Sequence, residues 1–381
     1  MHILMIPSWY EKIFSPYAAT FFKSFALALK KIGHDVGVIS VVPFYLKECV
    51  QYRKFLLHKI ELPGETLNGE IFQYLSIPKS IEFNRWLIFQ IQKRMLKKYM
   101  AQYGIPDIVH VHSFSGGRGA IWLSQKYQIP YIVTEHSTMF ARNIYSQKDL
   151  YYANDLYKNS QYNFAVSNEF CHLLERITKN KFSYIPNAVD IDFFTPPVTK
   201  MNQVFTFLNV GWLHYKKRQD LLIKAFIKKF NNRNAKLIIA GDGPELLNLE
   251  KLIVKNNMQK KIELYGLASP LEVKTLMQNA NCFVLSSEFE TFGVVLIEAM
   301  SCGLPVVATR SGGPESIITN ESVGILCDSN DLDGLSTAMK KVYSSNYDPI
   351  SIRNFVIDNF SEAAIMKKYD SIYNMVLRFM D

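Results

Sequence analysis

Short apolar runs, each bounded by polar or turn-forming residues, recur along the chain. Between them lie longer stretches whose apolar residues fall three and four positions apart. The runs at 2–7, 35–42, 107–112 and 131–136 in the first half read as strands buried on both faces. In the second half 205–210, 236–240, 262–267, 283–287, 305–309 and 324–328 read as strands, those at 283–287 and 305–309 as buried ones. Helical periodicity predicts helices at 18–32, stopped by Gly33, and at 79–103, with further helices between the later strands and at 360–381. Residues 43–78 carry no sustained period and are expected to hold two short strands. Strands alternating with helices predict an α/β architecture with parallel sheets.

Length divides this pattern in two, because 381 residues suit two domains at roughly 150 residues each. The paired prolines Pro196 and Pro197, followed by the polar stretch 198–203, read as a linker. They separate a domain over 1–197 from one over 203–358, with 359–381 as a C-terminal helix. A composition of 48% hydrophobic and 20% charged residues supplies ample core and excludes disorder. No apolar run reaches the roughly 18 residues of a membrane span. Residues 1–9 lack a basic leader and a small-residue cleavage site, and so read as a first strand. Five cysteines (49, 171, 282, 302 and 327) show no metal-type spacing, which points to buried thiols and a reducing cytoplasm. Of the net charge of +9, +8 falls in residues 1–200. No aromatic–basic nucleic-acid module accompanies it, so no nucleic-acid partner is expected. The excess suits an anionic membrane surface instead, and the basic, apolar-periodic stretch 79–103 is the segment expected to lie on it.

The densest chemistry lies at 283–317, FVLSSEFETFGVVLIEAMSCGLPVVATRSGGPESI. A strand runs into a loop, Gly293 opens a helix, Gly303 and Pro305 end it and start a second strand, and 311–315 turns into a further helix. Both helix starts are thereby set at the C-terminal ends of parallel strands, where open α/β sheets bind ligands and where backbone N–H groups favour phosphate. Glu290 in the loop and Glu298 in the helix place two carboxylates beside that site. Taken alone they also suit a dipole-stabilised surface glutamate and a solvated one.

This stretch closely resembles the retaining glycosyltransferases of family 4, the glycosyl transferases group 1, whose signature is a Glu-x7-Glu pair beginning E-x-F/Y-G. The resemblance implies two Rossmann-like domains of the GT-B type facing each other across a cleft, with the last helix packing back towards the first domain. It implies that Glu290 contacts the donor sugar, Glu298 the ribose, and the backbone of Phe292, Gly293 and Val294 the diphosphate and sugar. The segment GWLHYKKRQ from Gly211 resembles the family's V-G-R-L-x-x-x-K-G and assigns Lys217 to the diphosphate. Trp212 stands where the family has arginine and Arg218 where it has glycine, so either Arg218 or Lys216 takes over the arginine's part, or helix N-termini do. Gly241 and Gly243 belong to a G-x-G-P turn at the donor side. In the first half, the T-E-H strand end assigns His136 to the donor sugar near the reaction centre. His112, Gly116 and Gly117 are acceptor-side or structural. Ala18-Ala19 replaces the family's phosphate-loop glycine, and Ala188 the glycine of P-N-G-V-D.

The resemblance implies transfer, with retention, of a sugar from a nucleoside diphosphate, UDP ahead of GDP, to a glycan or lipid-linked acceptor in bacterial envelope polysaccharide synthesis. Glu290, His136 and Lys217 are the catalytic candidates, and neither a cofactor nor a metal is expected. The location is cytoplasmic, with a peripheral contact at the inner membrane face. Three other readings compete. A glycoside hydrolase would use paired carboxylates but not a phosphate-binding βα unit. A Rossmann dehydrogenase would need G-x-G-x-x-G after the first strand. A pseudoenzyme that binds nucleotide-sugar or recruits partners draws on Trp212 and Ala19.

Overall fold

The computed structural model describes residues 1–9, 20–45, 58–61, 67–198 and 204–378. Ala18, Ala19, Cys49 and most of the predicted linker lie outside those residues. The chain forms two units: Met1–Ala165, Cys171–Ile185 and Met366–Asp381 make the first, Val166–Phe170 and Pro186–Ile365 the second.

The first unit is built on strands β1 (His2–Pro7), β2 (Asp35–Phe44), β3 (His58–Glu61), β4 (Asn68–Leu75), β5 (Ile108–His112), β6 (Tyr131–Glu135), β7 (Tyr162–Ala165) and β8 (Ser183–Tyr184). Their order is β3-β4-β2-β1-β5-β6-β7-β8, parallel throughout except for the antiparallel β3–β4 pair. Every residue of β5 and β6 is buried, as expected of strands covered on both faces. The helices are α1 (Thr20–Lys31), α2 (Ile81–Tyr103), α3 (Arg118–Tyr127), α4 (Thr138–Ala141), α5 (Gln147–Lys158) and α6 (Asn168–Thr178). A reciprocal capping box of Ser146 and Asp149 starts α5. The strand order reverses between β1 and β5, so the loops after Pro7 and His112 open at a switch point.

The second unit has six parallel strands: β9 (Phe205–Val210), β10 (Ala235–Ala240), β11 (Ile262–Gly266), β12 (Cys282–Leu285), β13 (Val306–Thr309) and β14 (Gly324–Cys327). Their order is β11-β10-β9-β12-β13-β14. The helices are α7 (Gln219–Phe230), α8 (Leu246–Lys255), α9 (Pro270–Asn279), α10 (Val294–Ser301), α11 (Leu332–Tyr343) and α12 (Pro349–Phe360), and α13 (Glu362–Arg378) follows. Phe207, Phe226, Phe230, Leu237, Ile239 and Val284 centre a continuous buried core. Here the order reverses between β9 and β12, and the loops after Val210 and Leu285 become neighbours.

One local expectation is corrected. The 311–315 turn does not launch a helix: Pro314–Ser316 is a single 3₁₀ turn. Its continuation is the β-branched run Ile317-Ile318-Thr319, which resists helix, and both isoleucines are drawn into the core. On α2, Arg94, Lys97 and Lys98 are exposed. Arg85 pairs with Glu82 and Asp149, and Lys98 with Glu70. At the start of α2, Ile81, Phe83 and Trp86 are exposed. Among the described residues no helix is long and apolar enough to cross a membrane.

Candidate functional site

Lys217 and Glu290 meet at the switch point of the second sheet. Lys217 ends the 3₁₀ turn Tyr215–Lys217 in the loop after β9, and Glu290 lies in the loop after β12. The Lys217 ammonium donates to Glu290 Oε1, and Ser287 Oγ donates to the same oxygen at 2.7 Å. Backbone contacts hold the loops to each other: the Glu288 N–H donates to Lys216 O (2.7 Å) and Ser286 Oγ to Lys217 O (2.8 Å). The Glu290 N–H donates to Ser311 O (2.9 Å), tying in the loop after β13. Three adjacent loops thus fix one cation and one carboxylate, both largely shielded, at the carboxyl ends of the strands.

The glycines explain how these loops come so close. A Cβ on Gly241 would lie 1.9 Å from Gly211 O, and one on Gly243 2.3 Å from Leu213 O. Only glycine permits that approach. The buried Leu213 plugs the loop while Trp212 stays exposed. Arg218 sits at φ +50° and directs its guanidinium to Asp220, Nε to Oδ1 at 3.0 Å. It is therefore engaged with a carboxylate of its own segment. It lines a pocket with His214, Tyr215, Gln219, Asp220, Glu245, Leu249 and Glu288.

Gly293 at φ +100° is the N-cap of α10 and offers no side chain to the first-turn amides. The helix thus begins with its positive end beside the Glu290 loop. The Phe292 ring is core, packed near Phe360 with centroids 6.0 Å apart, so only its backbone can face a ligand. A Cβ on Gly313 would strike the Phe292 backbone at 2.4 Å, so this turn packs against the α10 entry. The Gly312 N–H already donates to the Glu315 carboxylate at 3.0 Å. One turn into α10, the Glu298 carboxyl makes no hydrogen bond or ion pair among the described residues. Burial pushes its pKa up from 4.5 to about 7.

The first unit gathers a second cluster at its own switch point. His112 ends β5 and His136 follows β6, with His112 Nδ1 3.0 Å from His136 Nε2. The rings of His110 and His112 stack at 4.1 Å, those of His112 and His136 at 5.3 Å. Phe22 and Phe25 of α1 meet His112 edge-on at 5.2 and 5.0 Å. Burial holds all three histidines well below their usual range, His136 at about 3, so all are neutral at pH 7. Glu135 anchors the turn beneath them. It accepts from the N–H groups of Phe114 (2.9 Å), His136 (3.0 Å) and Ser137 (2.8 Å) and from Tyr157 OH (2.6 Å). Burial raises its pKa and these donors oppose the rise. Gly116 and Gly117 have packing reasons: the Gly116 N–H donates to Ser8 Oγ at 2.8 Å, and a Cβ on Gly117 would meet Leu156 at 2.4 Å.

Of the sequence-predicted residues, Lys217, Glu290, Phe292, Gly293 and Val294 come together in the second unit, with Gly211, Gly241 and Gly243 supporting the lysine loop. His112 and His136 come together in the first. Ser287, Glu135, Ser113 and His110 were not singled out by sequence. Ser113 is buried at φ +67°, and its hydroxyl accepts from the His136 N–H at 3.1 Å. The T-E-H strand end was the only signal available for Glu135. Among the described residues no three His, Cys, Asp or Glu side chains are grouped to hold a metal ion.

Two family descriptions match the chain. Glycosyltransferase Family 4 matches residues 18–193 and Glycosyl transferases group 1 matches residues 191–357. An uncharacterized glycosyltransferase of Methanocaldococcus jannaschii is 26% identical over 386 residues, 94% of each chain. A phosphatidylinositol N-acetylglucosaminyltransferase component from Arabidopsis thaliana is 28% identical over 217 residues, covering 56% of this chain and 48% of that protein. The alignment therefore spans about half of that relative's length. The Anabaena protein HepE, solved in complex with UDP, superposes with a TM-score of 0.75 at 15% identity, covering 98% of this chain and all of that one.

Proposed function

The chain belongs to the glycosyl transferases group 1 and is a glycosyltransferase of the GT-B type, and we propose that it moves a sugar from a UDP-sugar to a glycan or lipid-linked acceptor with retention of configuration. The observation that carries this reading is the Lys217–Glu290–Ser287 constellation at the β9/β12 switch point, beside the start of α10. Breaking a glycosyl–phosphate bond builds negative charge on the departing diphosphate. A fixed cation and a helix N-terminus stabilise that charge without reorganising. Lys217 has three N–H donors, so it can hold Glu290 and a phosphate oxygen together. Glu290, fixed by Lys217, Ser287 and its own backbone, accepts from sugar hydroxyls. Glu298 accepts from the ribose once ionised. In this reading the leaving phosphate takes the acceptor's proton on the same face as attack, and no metal is needed because Lys217 supplies the positive charge.

UDP is favoured by the HepE complex, and a lipid-linked acceptor by the phosphatidylinositol-modifying relative. The exposed Ile81, Phe83 and Trp86 at the start of α2 suit contact with an anionic bilayer, as in interfacial helices, and an envelope pathway at the inner membrane face would place such an acceptor there. The deciding experiment is calorimetric and thermal-shift titration with UDP, GDP, ADP and dTDP in EDTA. Ligands that bind the native state raise Tm by mass action. A UDP-selective shift in chelator supports both donor class and metal independence. A shift with another nucleotide, or one that needs a divalent ion, overturns the corresponding part.

A further inference from the structure

Arg118 opens α3 immediately after the switch-point loop of the first unit, and no carboxylate among the described residues receives it. Its guanidinium carbon lies 4.7 Å from the centre of the Phe89 ring and 5.2 Å from that of Tyr152. The Lys93 ammonium lies 4.8 Å from the centre of the same Phe89 ring. Both cations are partly buried, and among the described residues neither has a hydrogen bond or an ion pair. The nearby acids are already engaged. Glu82 pairs with Arg85 at 2.8 Å and with Lys148 at 3.8 Å, and accepts from Tyr152 OH at 3.2 Å. Asp149 pairs with Arg85 and closes the cap of α5. Arg85 in turn lies 4.8 Å from the centre of the Tyr152 ring. In this cluster the cations left without a carboxylate, among the described residues, are Arg118 and Lys93.

Contact with ring faces offsets part of the cost of shielding a cation. It engages none of the five N–H donors of a guanidinium or the three of an ammonium. The rings also hold Arg118 in place before any ligand arrives, which lowers the ordering cost of binding. Gly117, the N-cap of α3, offers no side chain to the first turn, so the positive end of that helix adds to the charge. A carboxylate would need only the guanidinium. A planar fork beside a second, point-like cation suits a group with more oxygens and more charge. A phosphate monoester carries about −1.5 to −2 and has three acceptor oxygens. We propose that Arg118 and Lys93 form a phosphate-binding site on the first unit, Arg118 taking two phosphate oxygens and Lys93 the third. Its place at the switch point, where open α/β sheets receive ligands, makes this phosphate a part of the sugar acceptor. That last step rests on the transfer reading above; the site itself does not. The phosphate can be carried by a lipid, which the exposed Phe83 and Trp86 of α2 would accompany, or by a soluble acceptor.

The test is nitrogen-15 NMR of the arginine Nε–H groups in the whole protein, titrated with inorganic phosphate at constant ionic strength. The Arg118 signal is the one absent from Arg118→Gln or, should that variant not fold, from Arg118→Lys. It is expected to move saturably with phosphate. In Lys93→Gln the half-saturating concentration should rise about 10-fold, as the loss of a charged hydrogen bond implies. In Lys97→Gln, which removes an exposed cation of the same helix, it should stay within about twofold. An Arg118 signal that does not respond, or an equal effect of the two lysine substitutions, overturns the site. Flotation with vesicles of phosphatidylcholine, with and without phosphatidic acid, tells the two sources apart. Loss of the phosphatidic acid dependence in Arg118→Gln places the phosphate on a lipid. Unaltered flotation beside the saturable shift places it on a soluble acceptor. If the nucleotide titration is silent while the Arg118 signal still moves, the transfer reading fails and the phosphate site stands.

Discussion

Lys217 and Glu298 should fail in different ways when removed. In the proposed reading Lys217 acts on charge that develops as the diphosphate leaves, so Lys217→Ala is expected to lower kcat about 10²–10³-fold. Donor KM should change far less. In the same reading Glu298 binds the donor equally before and during reaction, so Glu298→Ala is expected to raise donor KM about 10-fold or more with kcat little altered. Its raised pKa adds a pH signature. Below about 7 the carboxyl is protonated, so kcat/KM for donor should rise with pH through about 7 in the wild type. In Glu298→Gln that rise should disappear. The same shift works against the fold. Between 4.5 and about 7 the folded protein holds a proton that the unfolded chain has released, so stability falls as pH rises and stays lowered above 7. Glu298→Gln should therefore stabilise the free protein at pH 8, by about 1–2 kcal/mol in urea melts. This is less than the full linkage value, because Glu298 keeps some exposed surface. An unchanged melt would remove the burial argument for this carboxylate.

Individual elements divide into those written locally and those decided by their neighbours. Helix α9 is local: Ser269 and Glu272 cap it reciprocally and Pro270 starts it, so Ser269→Ala should cost about 1 kcal/mol, read as a lower Tm. The lysine loop is decided at a distance. Gly241 lies on the next strand's turn, yet any side chain there collides with Gly211 O. Gly241→Ala should cost about 2 kcal/mol or more through backbone strain and displacement, and should weaken nucleotide binding without touching a nucleotide. The strands at 2–7 and 205–210 were legible because fully buried parallel strands are short apolar runs with clear ends. The Glu290–Glu298 spacing was legible because both residues sit on one strand–loop–helix unit. Ser287 and Glu135 were not legible, since one matters through Lys217 seventy residues earlier in the chain and the other through Tyr157 and Phe114. The helix expected after Gly313 failed because its apolar, β-branched residues serve the core instead.

Across the whole molecule the chain order and the unit boundaries do not coincide. The first unit takes in Met366–Asp381, whose Met366, Tyr369, Tyr373 and Val376 are buried, with Tyr369 bonded to Thr134 and Tyr373 to His110. At about 1.5–3 kcal/mol for each buried large apolar side chain, these four outweigh much of a domain's net stability of about 5–15 kcal/mol. A chain ending at Ile365 should therefore lose the near-ultraviolet dichroism of the first unit and bind a hydrophobic dye, while nucleotide binding by the second unit persists. Loss of both together would show that neither unit holds without the other. The same interleaving bears on how the protein is born. Ribosomal synthesis usually lets the leading domain fold while the rest is still being made. Here the leading sheet leaves the ribosome with His110 and Thr134 lacking their tyrosine partners, and it must wait for the entire second unit to be translated before the helix carrying those partners arrives.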